Sequence, residues 1–274
     1  MRVLRWMVLF MTAAAPAFAQ PAVQSVQASP EVLRDLVPTG KLRAAINYGN
    51  SVLAQKGPDG APHGVSADLA AELAKRLGVA VDYVPYDAAG KVFEGARAGA
   101  WDVGFIAIEP VRAQEIIFTA PYVIIEGTYM VPVHSPLKTV DDVDKDGIRM
   151  SVGLGSAYDL YLTRTVKHAT VLRADVGGGS AMIRKFLDEK LDAAAGVRQQ
   201  LDAYAKDHPE MRVMSGHFQE IQQAMAMPRI ADRPRTAGVA YLKAFVEEMK
   251  ASGFVAEALK RSGQVADVAP SAGK

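Results

Sequence analysis

One arginine, Arg112, separates two apolar stretches in FIAIEPVRAQEIIFTAPY, a segment that runs from Phe105 to Tyr122. A guanidinium stays charged, and its planar fork of N–H donors matches the oxygens of a carboxylate. Arg112 follows a predicted strand, and α/β sheets bind their ligands beyond the carboxyl ends of strands. The segment therefore predicts one of two roles: a ligand-binding arginine, or a surface arginine paired with Glu109 or Glu115, which would contribute little energy.

A glycine turn in VGLGSAYDL is a second candidate site for an anion. Gly153 and Gly155 allow a tight turn, and Ser156 can cap the following helix with Asp159 at N3. The start of a helix presents free N–H groups and the positive end of its dipole. An ordinary cap without a ligand is the alternative. Tyr158 stands where a third glycine would be needed, so the segment is not a dinucleotide fingerprint.

The composition favours an exported globular protein. MRVLRWMVLFMTAAAPAFAQ has a basic n-region, an apolar h-region and an A-x-A site, so residues 1–19 are predicted to be a signal peptide cleaved after Ala19. Removing Arg2 and Arg5 from the 31 basic residues leaves 29 against 30 acidic ones, which disfavours a nucleic-acid partner. The chain has no cysteine for a lipid anchor or a disulfide. We therefore expect a periplasmic protein, and free secretion is the alternative.

Other common chemistries lack their sequence patterns. The five histidines show no metal-ligand spacing. The sequence contains neither a G-x-S-x-G elbow nor a Walker A loop. We therefore expect no metal and no cofactor.

Strands alternate with helices along the chain, which indicates parallel α/β layers. KLRAAIN, VAVDYVPY and WDVGFIAI are predicted strands, and GVSADLAAELAKRLG is a predicted helix that Gly78 ends. Residues 79–102 share an order of elements with residues 169–192, and Asp102 falls on Asp192 at an offset of 90. Identity is low, so chance is an alternative; the shared order favours two similar lobes over one long sheet.

The order of elements also predicts a hinge. The chain is expected to cross between the lobes near 125–132 and near 220–227, and a cleft between two lobes is a natural ligand site. The predicted organisation is a linker at 20–39, a first lobe at 40–126 and 226–263, a second lobe at 127–225, and a loose tail at 264–274.

Together these segments resemble the family 3 extracellular solute-binding proteins, the periplasmic receptors of polar amino-acid ABC transporters. The resemblance spans roughly 40–263 and rests on GVSADLAAELAKRLG, AGAWDVGFIAIEPVRAQEIIFTAPY, VGLGSAYDLYL, LDAAAGV and AYLKAFVEEMKASG. It implies a two-lobed α/β periplasmic-binding-protein fold, type II-like, with a two-crossover hinge that closes over one solute. It also implies a membrane permease as partner, and we expect a monomer.

The resemblance implies a set of ligand contacts by position. Its arginine, which grips the ligand carboxylate, falls on Arg112. The remaining implied contacts are Gly155, Ser156, Ala157 and Tyr158 in the second-lobe turn, and Asn47 and Asn50 at the distal end of the ligand.

Several positions depart from the amino-acid receptors of the family. At the positions before the arginine where the amino-acid receptors carry hydroxyl side chains, this chain has Phe105, Ala107 and Glu109. At the position of the acidic residue that pairs with the ligand's α-ammonium, this chain has Val197. An ammonium buried without a partner costs several kcal/mol. Either Glu109 replaces the missing carboxylate, or the solute is a carboxylate without an amine.

The predicted function is a non-enzymatic substrate-binding protein of an ABC importer for a small carboxylate-bearing solute, an amino acid or a related organic acid. The alternative is a periplasmic dehydratase resembling cyclohexadienyl dehydratase, which needs an acid or base beside the arginine. Glu109 is the evident candidate for that group. Lys91 and Arg198 are candidates for contacting a second anionic group, and exposed surface charge is the alternative for both.

Overall fold

The computed structural model describes residues 28–175 and 178–273. The predicted signal peptide at 1–19 lies outside them. Among the described residues, no helix combines the length and the apolar character needed to cross a membrane.

Most strands are short and belong to one sheet. In the described chain the strands are β1 (Leu42–Asn47), β2 (Gln55–Lys56), β3 (Pro62–His63), β4 (Val81–Tyr86), β5 (Val103–Ala107), β6 (Ile116–Pro132), β7 (Arg149–Gly153), β8 (Thr170–Ala174), β9 (Ala193–Val197), β10 (Met211–Val213), β11 (Gln219–Pro228) and β12 (Asp267–Val268).

Helices connect and cover these strands. In the same residues the helices are α1 (Pro30–Leu36), α2 (Val65–Leu77), α3 (Ala89–Arg97), α4 (Pro110–Ala113), α5 (Ala157–Thr165), α6 (Gly178–Asp188), α7 (Arg198–Asp207), α8 (Thr236–Ala251) and α9 (Phe254–Arg261), with a 3₁₀ turn at Val140–Asp142. Gly78, in the left-handed conformation, ends α2 as predicted.

The main sheet has the strand order β4-β1-β5-β11-β6-β9-β7-β8, and β10 and β12 add to β6. β1 is parallel to β4 and β5, and β7 is parallel to β8 and β9. We call the half built on β1, β4 and β5 lobe 1, and the half built on β7, β8 and β9 lobe 2. The antiparallel strands β6 and β11 join them.

The two predicted lobes are present, but the expectation that they would not share one long sheet is wrong, because hydrogen bonding continues from one lobe to the other. β6 is 17 residues long and belongs to both halves. It pairs with β11 as far as Gly127, and from Gly127 onward it pairs with β9. The predicted lobe boundary at 126/127 coincides with this change of partner, and the hinge itself stays a prediction.

The internal resemblance between the two halves has a structural basis. The Asp102 carboxylate accepts a hydrogen bond from the Arg43 backbone N–H at 3.1 Å, and the Asp192 carboxylate accepts one from the Arg149 backbone N–H at 2.8 Å. Each aspartate's own N–H donates back to the carbonyl of the same arginine, at 2.9 Å in both halves. Each aspartate therefore ties the central strand of its lobe to the strand that follows it.

Two segments predicted to lack structure carry short elements. The linker prediction is wrong for Pro30–Leu36, because α1 packs with Val32 and Leu36 buried. The loose-tail prediction is wrong for Asp267–Val268, which pairs with β6, and Lys250 donates to the Pro270 carbonyl at 2.9 Å. Elements of seven and two residues are too short to show a hydrophobic period.

Candidate functional site

A cavity of about 40 Å³ lies between the lobes. It has room for roughly three water molecules. Its lining comes from both lobes and from the strand that joins them: Asn47, Gly49, Asn50, Ala89, Ile106, Ala107 and Arg112 from lobe 1, Ser156, Ala157, Tyr158, Gly178, Val197 and Gln200 from lobe 2, and Ile221 and Gln223 from β11.

Arg112 lies in α4, directly beyond the carboxyl end of β5, and is fully buried. Its Nη1 donates to the Ala107 carbonyl at 2.9 Å in lobe 1, and its Nη2 donates to the Gly155 carbonyl at 2.7 Å in lobe 2. Glu115 pairs instead with Arg97 at 2.6 Å. The surface-arginine alternative is therefore wrong, and the guanidinium spans the cleft.

The Arg112 guanidinium retains both its charge and a free donor. Burial lowers its pKa to about 10, and the negative charge of Glu109 opposes that shift, so the group is protonated at neutral pH. Its Nε–H is buried without a hydrogen-bond partner. An unsatisfied buried donor costs about 1–3 kcal/mol, and an anionic oxygen placed on it would form a charge-assisted bond. The arginine therefore fits an anion.

The glycine turn holds the start of α5 against the cavity. Ser156 caps the helix as predicted, because its Oγ accepts from the Asp159 N–H at 3.0 Å. The Asp159 carboxylate accepts from the Gly155 N–H at 2.8 Å, one residue earlier than a capping box would place it. The N–H groups of Ala157 and Tyr158 begin the helix without acceptors inside it. Burial raises the pKa of Tyr158 to about 12, so its hydroxyl stays neutral.

Glu109 is directed away from the cavity. Its side chain is only 1% exposed. One carboxylate oxygen accepts from Arg164 of α5 at 2.6 Å, and the other accepts from the Gln219 side chain at 2.9 Å. The carboxylate therefore forms its own link between lobe 1 and lobe 2, and it does not take the place of a missing ammonium partner.

Three further predicted contacts also lie outside the cavity. Phe105 is buried in the core and packs edge-on against a tyrosine of β6, with ring centroids 6.2 Å apart. Lys91 is partly exposed and pairs with Asp87, four residues earlier and just before α3, at 2.8 Å. Arg198 pairs with Glu126. Phe105 is part of the core and the other two side chains are held in ion pairs, so none of the three contacts a ligand in the cleft.

The structure brings the other predicted residues together. Those that line the cavity are Asn47, Asn50, Ala107, Arg112, Ser156, Ala157, Tyr158 and Val197. Gly155 reaches the site through its carbonyl bond to Arg112. The oxygens of Asn47 and Asn50 accept from backbone N–H groups two residues later in their own loop, at 3.0 and 3.2 Å. Their side-chain nitrogens are the polar groups left for a ligand.

Sequence reasoning missed several lining residues, which are Gly49, Ala89, Ile106, Gly178, Gln200, Ile221 and Gln223. Gln200 donates to the Gly49 carbonyl across the cleft at 3.1 Å. Gln200 follows β9 in the first turn of α7, much as Arg112 follows β5, and that equivalence could have identified it. Gln223 lies inside β11 and has no comparable signal. Among the described residues, no group of three His, Cys, Asp or Glu could hold a metal ion.

Glu109→Gln is expected to weaken the contact between the two lobes modestly. The change removes the charge that holds Arg164 but keeps the shape and the contact with Gln219. Because Arg164 is 42% exposed, we expect a loss of about 0.5–1.5 kcal/mol, or twofold to tenfold in affinity for a ligand held between the lobes, measured by calorimetric titration. Glu248→Gln is the control, since it breaks an ion pair with Arg76 inside lobe 1. Equal affinities in both variants would contradict an inter-lobe role.

Comparison with known proteins agrees with this geometry. A model of the bacterial extracellular solute-binding proteins, family 3, matches residues 42–264. Among curated proteins, no sequence matches the chain.

Solved structures share the fold at low identity. A mutant of ArgBP from T. maritima has a TM-score of 0.71 and 19% identity, over 85% of this chain and 99% of that one. The solute receptor for L-cysteine of Neisseria gonorrhoeae has a TM-score of 0.70 and 20% identity, over 82% of this chain and 90% of that one. The ancestral amino acid-binding protein AncCDT-1, a precursor of cyclohexadienyl dehydratase, has a TM-score of 0.67 and 21% identity, over 84% of this chain and 98% of that one. The fold is thus the two-lobed one of periplasmic binding proteins.

Proposed function

The chain belongs to the bacterial extracellular solute-binding proteins of family 3, and on that premise we propose that it is the periplasmic substrate-binding protein of an ABC importer. Its solute is a small molecule with a carboxylate, bound between the lobes. One observation carries the carboxylate: among the described residues that line the cavity, Arg112 alone has a charged side chain, and it is fully buried there. Similar structures bind arginine and L-cysteine, which supports a small carboxylate-bearing solute.

Binding by closure follows from where the anion-binding groups lie. Arg112 belongs to lobe 1, and the start of α5 with its Ser156 cap belongs to lobe 2. A carboxylate between them completes contacts with both lobes only when the cleft is shut. The solute therefore binds the closed form more tightly than the open form, and that difference in affinity is what shifts the population.

Binding is favoured over dehydration by the chemistry of the lining. A dehydratase needs a group that exchanges a proton near neutral pH beside the substrate. Of the titratable lining residues, Arg112 has a pKa of about 10 and Tyr158 a pKa of about 12. Glu109, the candidate acid or base, is bonded to Arg164 and Gln219 outside the cavity. The proposal therefore assigns the cleft to binding.

The cellular setting belongs to the same proposal. The leader-like segment supports export through a signal peptide at residues 1–19 with cleavage after Ala19. The family supports a periplasmic location and a membrane permease as partner. A monomeric state is part of the same proposal.

A screen of small organic acids and amino acids by thermal unfolding tests the proposal. A binding acid at about 100 times its Kd is expected to stabilise the protein by about 2.7 kcal/mol. That corresponds to a Tm increase of roughly 5–10 °C for a chain of this size. The radius of gyration from small-angle scattering is expected to fall with the same acid. The uncharged amide of that acid is the control. No stabilising acid or amino acid, or an equal effect of the amide, would contradict the proposal.

A further inference from the structure

We propose that the solute is a small carboxylate without an ammonium group, a hydroxy, oxo or unsubstituted acid rather than an amino acid. This rests on the proposed function, since it names the ligand class of the same cleft. The charge of the lining is the first observation. Among the described residues that line the cavity, Arg112 is charged and no carboxylate is present. A monoanion neutralises that guanidinium, whereas a zwitterion adds a buried ammonium that needs its own partner.

The acidic side chains nearest to the cleft are already engaged. Glu109 is bonded to Arg164 and Gln219. Asp159 accepts from the Gly155 N–H at 2.8 Å and from the Arg173 guanidinium at 2.9 Å. An ammonium in the cavity would have to take either carboxylate from an arginine, which would leave that arginine without its ion partner.

Asp87 and the end of β9 offer no free carboxylate either. The Asp87 carboxylate is half-exposed and pairs with Lys91. Val197, which lines the cavity at the last position of β9, is apolar and only 3% exposed. The cavity wall at this position therefore cannot stabilise a positive charge.

Several of the groups at the cavity are hydrogen-bond donors. Arg112 lines the cavity and has an Nε–H without a partner, and the first turn of α5 contributes N–H groups without helical acceptors. The oxygens of Asn47 and Asn50 are held by their own loop, which leaves their amide nitrogens. Donors suit a carboxylate together with a hydroxyl or oxo oxygen, both of which accept. A protonated amine has only donors, and the described residues that line the cavity offer it no carboxylate.

The fit between the lobes limits the size of the solute. A Cβ added at Gly155 would lie 2.9 Å from the Cα of Gly90 in lobe 1. A Cβ added at Gly178 would lie 2.7 Å from the Cα of Gly49. The lobes thus meet backbone against backbone around a cavity of about 40 Å³. That space suits a short acid and leaves little for a long side chain.

Calorimetric titration of the intact protein with matched pairs tests the inference. The members of a pair share a carbon skeleton and differ at the second carbon: lactate, pyruvate and propionate against alanine, glycolate against glycine, and 2-hydroxyglutarate and 2-oxoglutarate against glutamate. In the pair that binds tightest, we expect the acid to bind at least about tenfold more tightly than the amino acid. An amino acid that binds equally or more tightly overturns the inference and leaves the proposed function standing. No binding by any member overturns both.

Three variants address the missing ammonium partner directly. Val197→Asp is expected to shift the preference within a pair toward the amino acid by about tenfold or more, while Val197→Asn, of equal size and uncharged, leaves the preference unchanged. Glu109→Gln is expected to alter the affinity for both members of a pair by the same factor, because its effect acts through closure. Selective loss of the amino acid in Glu109→Gln would make Glu109 the ammonium partner and overturn the inference.

Discussion

Arg112→Ala is expected to lower the affinity for the bound acid by thirtyfold or more. The substitution leaves a carboxylate in a dehydrated cleft without its charged partner, a loss of about 2–5 kcal/mol. Calorimetric titration of wild type and variant measures it. Arg112→Lys is expected to restore the affinity in part, because an ammonium supplies the charge but lacks the bidentate fork.

A matched control and a pH series sharpen this result. Arg97→Ala removes another arginine of lobe 1 that pairs with Glu115 on the surface, and it is expected to bind normally. The guanidinium is charged below its pKa of about 10 and the acid is charged above its own pKa, so we expect a constant affinity between these two values and a decline as pH rises beyond about 10. Equal affinities in wild type, Arg112→Ala and Arg97→Ala would remove Arg112 from the site.

Gly155→Ala is expected to lower the affinity for the same acid at least tenfold, about 1.4 kcal/mol or more. The added methyl group would lie 2.9 Å from the Cα of Gly90 in the opposite lobe, so it holds the lobes apart. It also places alanine at φ 69°, which costs about 1 kcal/mol wherever it occurs. Titration and small-angle scattering are expected to show weaker binding and a larger radius of gyration with the acid.

Gly78→Ala separates blocked closure from backbone strain. Gly78 has the same φ of 69° at the end of α2, and an added Cβ there meets nothing within 4 Å. Both variants should lose similar unfolding free energy, and only Gly155→Ala should lose affinity. Normal binding by Gly155→Ala would show that the cleft closes less tightly than the structure has it.

Features carried by local sequence patterns could be predicted. The place of Arg112 beyond β5 follows from an apolar run that ends before Pro110, and the cap at Ser156 follows from glycine, serine and aspartate at fixed spacing. The direction of the Glu109 side chain could not be predicted in the same way. It depends on Arg164 of lobe 2 and on Gln219 of β11, which are distant in sequence.

Contacts across the cleft were the least accessible to sequence reasoning. Gln200 meets the Gly49 carbonyl, and Gly178 approaches Gly49 so closely that a Cβ would not fit. These contacts depend on how two lobes are placed by β6 and β11, and no local pattern encodes that placement. The continuity of the sheet was missed for the same reason. The sequence of β6 is an apolar run, and such a run does not indicate whether the strand pairs within one lobe or with strands of both lobes.

A crystal structure of the protein with the acid that binds tightest in the matched pairs tests the central claim most directly. We expect a carboxylate oxygen about 3 Å from the Arg112 guanidinium and from an N–H group at the start of α5, with the second-carbon substituent near Asn47 or Asn50. A carboxylate held elsewhere, with Arg112 still bonded only to the carbonyls of Ala107 and Gly155, would contradict the assignment of this cleft.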